Sequence, residues 1–185
     1  MSGHNKWSQI KEKKGKTDAK KGRVFSKYAK LIANEARMAK GNRESPALRA
    51  AIERARKENM PNDNIERAIK KATEAGGTAL EAILYEGYGP GGVALLVEVL
   101  TDSRNRAANE LKFIFSEHGG HIASPGAAVW AFGKQPTTDN SQPTTEKWIA
   151  TTTVPLEDID LLKLDKLVEV LEANEDVQAV FVNAE

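Results

Sequence analysis

The chain has 185 residues, a formal net charge of +1, 40% hydrophobic and 29% charged residues, and no cysteine. That composition suits one domain or two small ones with a genuine core, and the lack of cysteine removes disulfides, thiolate metal sites and cysteine nucleophiles together. No apolar run is long enough to span a membrane, and the opening MSGHNKWSQIKEKKGK has no apolar core of a secretory signal, so a cytoplasmic protein is expected.

The near-neutral total conceals a division. Residues 1–75 hold 20 Lys and Arg against 9 Asp and Glu, whereas residues 76–185 hold 7 against 17. The density peaks at the N-terminus, where Lys6, Lys11, Lys13, Lys14, Lys16, Lys20, Lys21, Arg23, Lys27 and Lys30 face only Glu12 and Asp18. Such an arm in front of an acidic body points to a polyanionic partner bound in one orientation. Trp7 and Ile10 lie within it, placed to dock on the protein or to stack on a base.

Helical patterns fill the basic half. Asp18 is positioned to cap a helix from Ala19 to about Ala39, stopped by Gly41-Asn42. Val24, Phe25, Tyr28, Leu31 and Ile32 share one side of it, while Lys20, Arg23, Lys27, Lys30 and Arg37 share another; Glu35 breaks the apolar arc. Ser45-Pro46 starts a second helix, with Leu48, Ile52 and Ala55 inward and Arg49, Arg54, Arg56 and Lys57 outward. Pro61 interrupts it, and a third helix restarts at Asn62 or Asp63 through Ile65, Ala68, Ile69 and Ala72. Gly76-Gly77 closes the basic half.

The acidic half changes pattern. Val93–Leu100 reads as a buried strand, and Thr101-Asp102-Ser103 caps a helix from Arg104 to Glu117 ended by Gly119-Gly120. Segments 121–124 and 127–132 read as extended, and 134–146 as a polar linker. A strand over 148–154, a helix over 160–173 and a strand over 177–182 follow. The expected fold is α+β: a basic three-helix domain over 1–77, then an acidic ferredoxin-like βαββαβ domain over 78–185, its antiparallel sheet carrying both helices on one face.

Several constellations invite chemistry. Gly87–Gly92 satisfies G-x-G-x-x-G, but it precedes a strand and Pro90 removes an amide, so a tight turn is expected in place of a dinucleotide site. Glu117, His118 and His121 do not complete a metal set, and no cofactor is expected. Arg104 and Arg106 at a helix start are candidates for holding a phosphate, and Tyr85 and Tyr88 for stacking on a base. No nucleophile, base and acid stand together, so neither an enzyme nor a small-molecule substrate is expected. The lysine-rich arm favours contact with a phosphate backbone over reading of bases.

The segments GHNKWSQIKEKKGKTDAKKGRVFSK, NMPNDNIERAIKKATE, YEGYGPGGVALLVEVLTDSRNRAANELKFIFSEHGG and EDVQAVFVNAE, in this order, resemble the YebC family. That bacterial and organellar group is known as transcriptional regulators, and its mitochondrial relative is the translational activator of cytochrome c oxidase. The resemblance implies a helical domain followed by an α+β domain, no catalytic residue, and either DNA binding near promoters or action on ribosomes through rRNA; an organellar location after import is compatible with it. Family members usually carry a third domain where this chain has only 134–146. The combined expectation is a monomeric nucleic-acid-binding regulator whose contact residues are Lys6, Trp7, Lys11, Lys13, Lys14, Lys16, Lys20, Lys21, Arg23, Lys27, Lys30 and Arg37, with Tyr85, Tyr88, Arg104 and Arg106 as a second set.

Overall fold

The computed structural model describes residues 6–13, 18–74, 79–136 and 146–185. Helix α1 spans Lys6–Lys13, α2 Asp18–Met38, α3 Pro46–Lys57 and α4 Asn62–Thr73. Helices α2, α3 and α4 share a core in which Ile32 and Ala36 meet Leu48, Ala51 and Ala55 of α3 and Ile65, Ala68 and Ile69 of α4. Small alanines at these positions let the helix axes approach closely, and larger aliphatics fill the centre. Helix α2 stops where Lys40 and Gly41 turn left-handed and the Gly41 N–H donates to Ala36 O at 2.8 Å. Pro46 occupies the first turn of α3 after Ser45, whose hydroxyl makes no capping bond. The expected Asp18 cap rests on a side chain outside the described residues, as do Gly76 and Gly77.

The rest is an antiparallel sheet with helices against it, giving the expected α+β class. Strand β1 spans Glu81–Tyr88, β2 Ala94–Thr101, β3 His121–Ala123 and β6 Val177–Val182, in the order β3-β1-β2-β6. Helix α5 (Arg104–Glu117) joins β2 to β3, with β1 lying between those strands, so the split βαβ unit is present. One sheet face presents Leu95, Val97, Val99 and Val180 to Leu111 and Phe115 of α5 and to Leu161, Leu164, Leu167 and Leu171 of α6 (Asp158–Ala173). The opposite face presents Ala94, Leu96 and Phe181 to Ala128, Ala131, Phe132 and Trp148.

The strand inventory departs from expectation in four places. Residues 81–88, to which the sequence pattern assigns no strand, form β1, paired along its whole length with β2. Residues 129–131 form a short 3-10 turn instead of a strand, followed by β4 over Phe132–Pro136. Both ends of the expected 134–146 linker are paired: β4 and β5 (Glu146–Ala150) make a two-stranded ribbon. Val154, expected inside a strand, makes an isolated parallel bridge to Ala184.

Gly87-Tyr88-Gly89-Pro90-Gly91-Gly92 is the β1–β2 hairpin and leads into a strand, not a helix. Gly91 and Gly92 have φ of 71° and 77°, and the Gly89 N–H donates to Val93 O at 2.8 Å. A Cβ on Gly87 would stand 2.7 Å from both His121 O and the Phe115 ring. The glycines of this motif serve the turn and the packing beneath it.

Candidate nucleic-acid interface

The basic stripe of α2 faces inward. Lys20, Arg23 and Lys27 line an open cleft of about 960 Å³ between the helices and the sheet, whose far wall includes Asp165, Glu169 and Glu172 of α6. Lys27 Nζ donates to the Glu172 carbonyl at 2.6 Å, and Lys30 Nζ reaches Asp176 Oδ1 at 2.5 Å. Burial pulls the Lys27 ammonium below its ordinary value; Glu172 works in the other direction. The basic and acidic halves of the sequence are thus ion-paired to one another.

Helix α1 docks on the same acidic surface. Trp7 is only 6% exposed and packs into the core under the sheet together with residues of α6, with Ile10 beside it. Lys6 pairs with Asp158 at 2.9 Å and Lys11 with Glu172 at 3.8 Å. Trp7 is therefore a core residue that docks α1 on the sheet region. Lys14 and Lys16, and the side chain of Lys13, lie outside the described residues. Arg37 is half-buried near the end of α2, and Lys21 and Arg23 are exposed.

The second set of candidates is bound up internally. Arg104 forks onto Glu81, whose carboxyl is held below its ordinary range by those hydrogen bonds. Arg106 contacts Asp102 and Asp176, each at 2.8 Å, and its guanidinium is pushed up by hydrogen bonds to Asp176 and Asp102. The start of α5 is capped as expected, with Ser103 Oγ accepting from the Arg106 N–H at 3.4 Å. Tyr85 packs on the core and its hydroxyl donates to Arg104 O at 3.4 Å. The Tyr88 hydroxyl donates to Ala127 O, and its ring stacks on His121 with centroids 5.8 Å apart. His118 caps the C-terminus of α5.

Cationic surface extends beyond the cleft, although Arg23 and Arg54 also line it. Across residues 20–74 the exposed cations are Lys21, Arg23, Lys40, Arg43, Arg49, Arg54, Arg56, Lys57, Arg67, Lys70 and Lys71, whereas only Glu44, Asp63 and Glu74 are exposed acids. Some of these cations are paired locally, as in Arg43 with Glu66 at 2.5 Å and Arg56 with Glu53 at 3.0 Å. Most of the set lies on α3, α4 and the connections between helices. Lys40, Arg43, Arg67, Lys70 and Lys71 fall outside the contact set expected from the sequence, where the N-terminal lysine run outweighs them. The outward positions of α4 are the signal that marks Arg67, Lys70 and Lys71, whereas Lys40 and Arg43 lie in the α2–α3 connection, which carries no periodicity.

Comparison with known proteins places this geometry in context. The model of the TACO1/YebC protein N-terminal domain matches residues 5–75, and that of the TACO1/YebC second and third domain matches residues 80–147. A protein of Syntrophobacter fumaroxidans named "Probable transcriptional regulatory protein" is 56% identical over 137 residues, covering 73% of this chain and 55% of that one. One of the same name from Desulfatibacillum aliphaticivorans is 57% identical over 137 residues, covering 73% and 56%. The crystal structure of a conserved hypothetical protein from Aquifex aeolicus aligns with a TM-score of 0.82 at 32% identity, covering 97% of this chain and 96% of that chain. The chain spans about half the length of the curated relatives it matches.

Proposed function

The chain belongs to the TACO1/YebC family, and from that premise we propose that it is a nucleic-acid-binding regulator that grips phosphate backbones with its helical region. The observation that carries this reading is the excess of exposed cations on α2–α4 that remains after the inward-facing lysines have been committed to the acidic body. Its first form is a DNA-binding transcriptional regulator, in keeping with the names its relatives bear. The surface offers many cations spread over α3, α4 and the connections between helices, so affinity rests chiefly on charge and shape.

That reliance on charge and shape supports a second form, in which the partner is structured RNA such as rRNA and the protein acts in translation. Crosslinking in cells followed by sequencing of the bound nucleic acid separates the two. Peaks at promoters support the DNA reading; enrichment of rRNA or tRNA without such peaks overturns it in favour of the RNA reading. Recovery of neither class overturns both.

A further inference from the structure

The acidic wall of the cleft is a row. Asp165, Glu169 and Glu172 recur at successive turns of α6, and Asp176 follows just beyond the helix end. One carboxylate per turn sets negative charges about 5.4 Å apart along a line, a row of anions that competes with a phosphate backbone for the same cations. The lysines on this surface come from the part of the chain read above as the nucleic-acid contact.

The contacts differ in how readily they can be exchanged. Lys6–Asp158 joins side chains 61% and 86% exposed, and Lys11–Glu172 joins side chains 44% and 47% exposed. Exposed pairs of this kind are weak and salt-sensitive. Lys30–Asp176 is different, with Asp176 also fixed by Thr101 Oγ1 and Arg106 at 2.8 Å each. The interface therefore has one firm ionic pin at Lys30–Asp176 and exchangeable ion pairs along α1, whose opening also withdraws Trp7 and Ile10 from the core.

We propose that the acidic face of α6 is a built-in competitor for nucleic acid, holding Lys6 and Lys11 until a phosphate backbone displaces it and α1 swings away from α6. The proposal rests on the nucleic-acid reading above and adds its regulation: binding is restrained by the protein's own carboxylates, so opening and binding are coupled.

The test uses the full chain, which has no cysteine of its own. Cysteines placed at exposed Gln9 on α1 and exposed Leu162 on α6 carry spin labels. The distance between them is read with and without a 30-base-pair DNA duplex or a structured RNA of similar length. The variant is D158N/E172Q; the charge-matched control is E117Q/E185Q, which alters the last residue of α5 and the C-terminal acid beside Thr153. Binding is expected to be about three- to tenfold tighter in D158N/E172Q than in the control. The label distance should lengthen when nucleic acid is added to the parent chain, and also when salt alone is raised. A parent chain that binds while D158N/E172Q binds no more tightly than the control, with an unchanged label distance, overturns the competitor and leaves the nucleic-acid reading standing. Failure of both probes to bind at any salt concentration overturns both.

Discussion

Lys30 of α2 and Asp176, which immediately precedes β6, meet at 2.5 Å, and this contact ties the helical region to the sheet. The aspartate is buried, and burial alone would raise its carboxyl; hydrogen bonds from Lys30, Arg106 and Thr101 outweigh that and hold it below the usual aspartate range. Removing its charge leaves two cations facing a neutral amide. Asp176→Asn should cost about 3 kcal/mol, read as a lowered urea midpoint.

The same aspartate sets a dependence on pH. A carboxyl lowered in the folded state contributes stability that is present above its unfolded value of about 3.9 and is lost as pH falls through its folded value. The unfolding free energy should therefore fall with acidification below about pH 4, and Asp176→Asn should show a shallower fall. Equal slopes in the two proteins would remove Asp176 as the source.

Glu86 provides an independent case. Its carboxylate accepts from the N–H groups of Gly126, Ala128 and Val129 at 2.6, 2.7 and 2.8 Å. Burial pushes the carboxyl up, but these three bonds outweigh it and hold the group below its ordinary range. Glu86→Gln brings an amide NH2 against one or two of those donors. The loss should be about 2–4 kcal/mol, measured by chemical denaturation. Because the carboxyl is lowered in the fold, that contribution too is present at neutral pH and disappears on acidification.

Gly87 tests the packing beneath the hairpin. A methyl group there collides with backbone at His121 as well as with the Phe115 ring, so a side-chain adjustment alone cannot make room. Gly87→Ala should destabilise by about 2 kcal/mol, visible as a drop in Tm, whereas Gly22→Ala, where a Cβ meets nothing within 4 Å, should not.

Two sets of cations distinguish the candidate binding faces. Neutralising Arg54, Arg56, Lys57, Lys70 and Lys71 to Gln should flatten the dependence of log K on log salt by about one for each phosphate no longer neutralised. Neutralising Lys11, Lys13, Lys14, Lys20 and Lys21 should flatten it as well if the arm reaches phosphate once released. An unchanged slope in either variant removes that face from the interface.

What was legible in the sequence follows from period and length. Helices α2 to α6 carry apolar residues at helical spacing over three or more turns, and β2 is an apolar run interrupted only at Glu98 before its terminal Thr101, so local pattern suffices for them. Strand β1 hid because Glu81 and Glu86 bracket its apolar centre, and acids are depleted in strands. Glu86 breaks that rule only because three amides more than 35 residues away receive it. The basic stripe on α2 was visible, but its direction was not. Lys27 and Lys30 find their partners about 145 residues further along, and no helical periodicity distinguishes a face turned to solvent from one turned to a complementary surface.

The β4–β5 ribbon has a consequence for how such a chain can change length. Its outermost register pair sets Pro136 opposite Glu146, so the backbone leaves and rejoins the protein at neighbouring points. Whatever joins those points adds only a slowly growing closure entropy, and neither the four-stranded sheet nor the Lys30–Asp176 pin senses its size. The ribbon is a socket: segments from a short loop to an independently folded module could be exchanged there while the cleft keeps its shape.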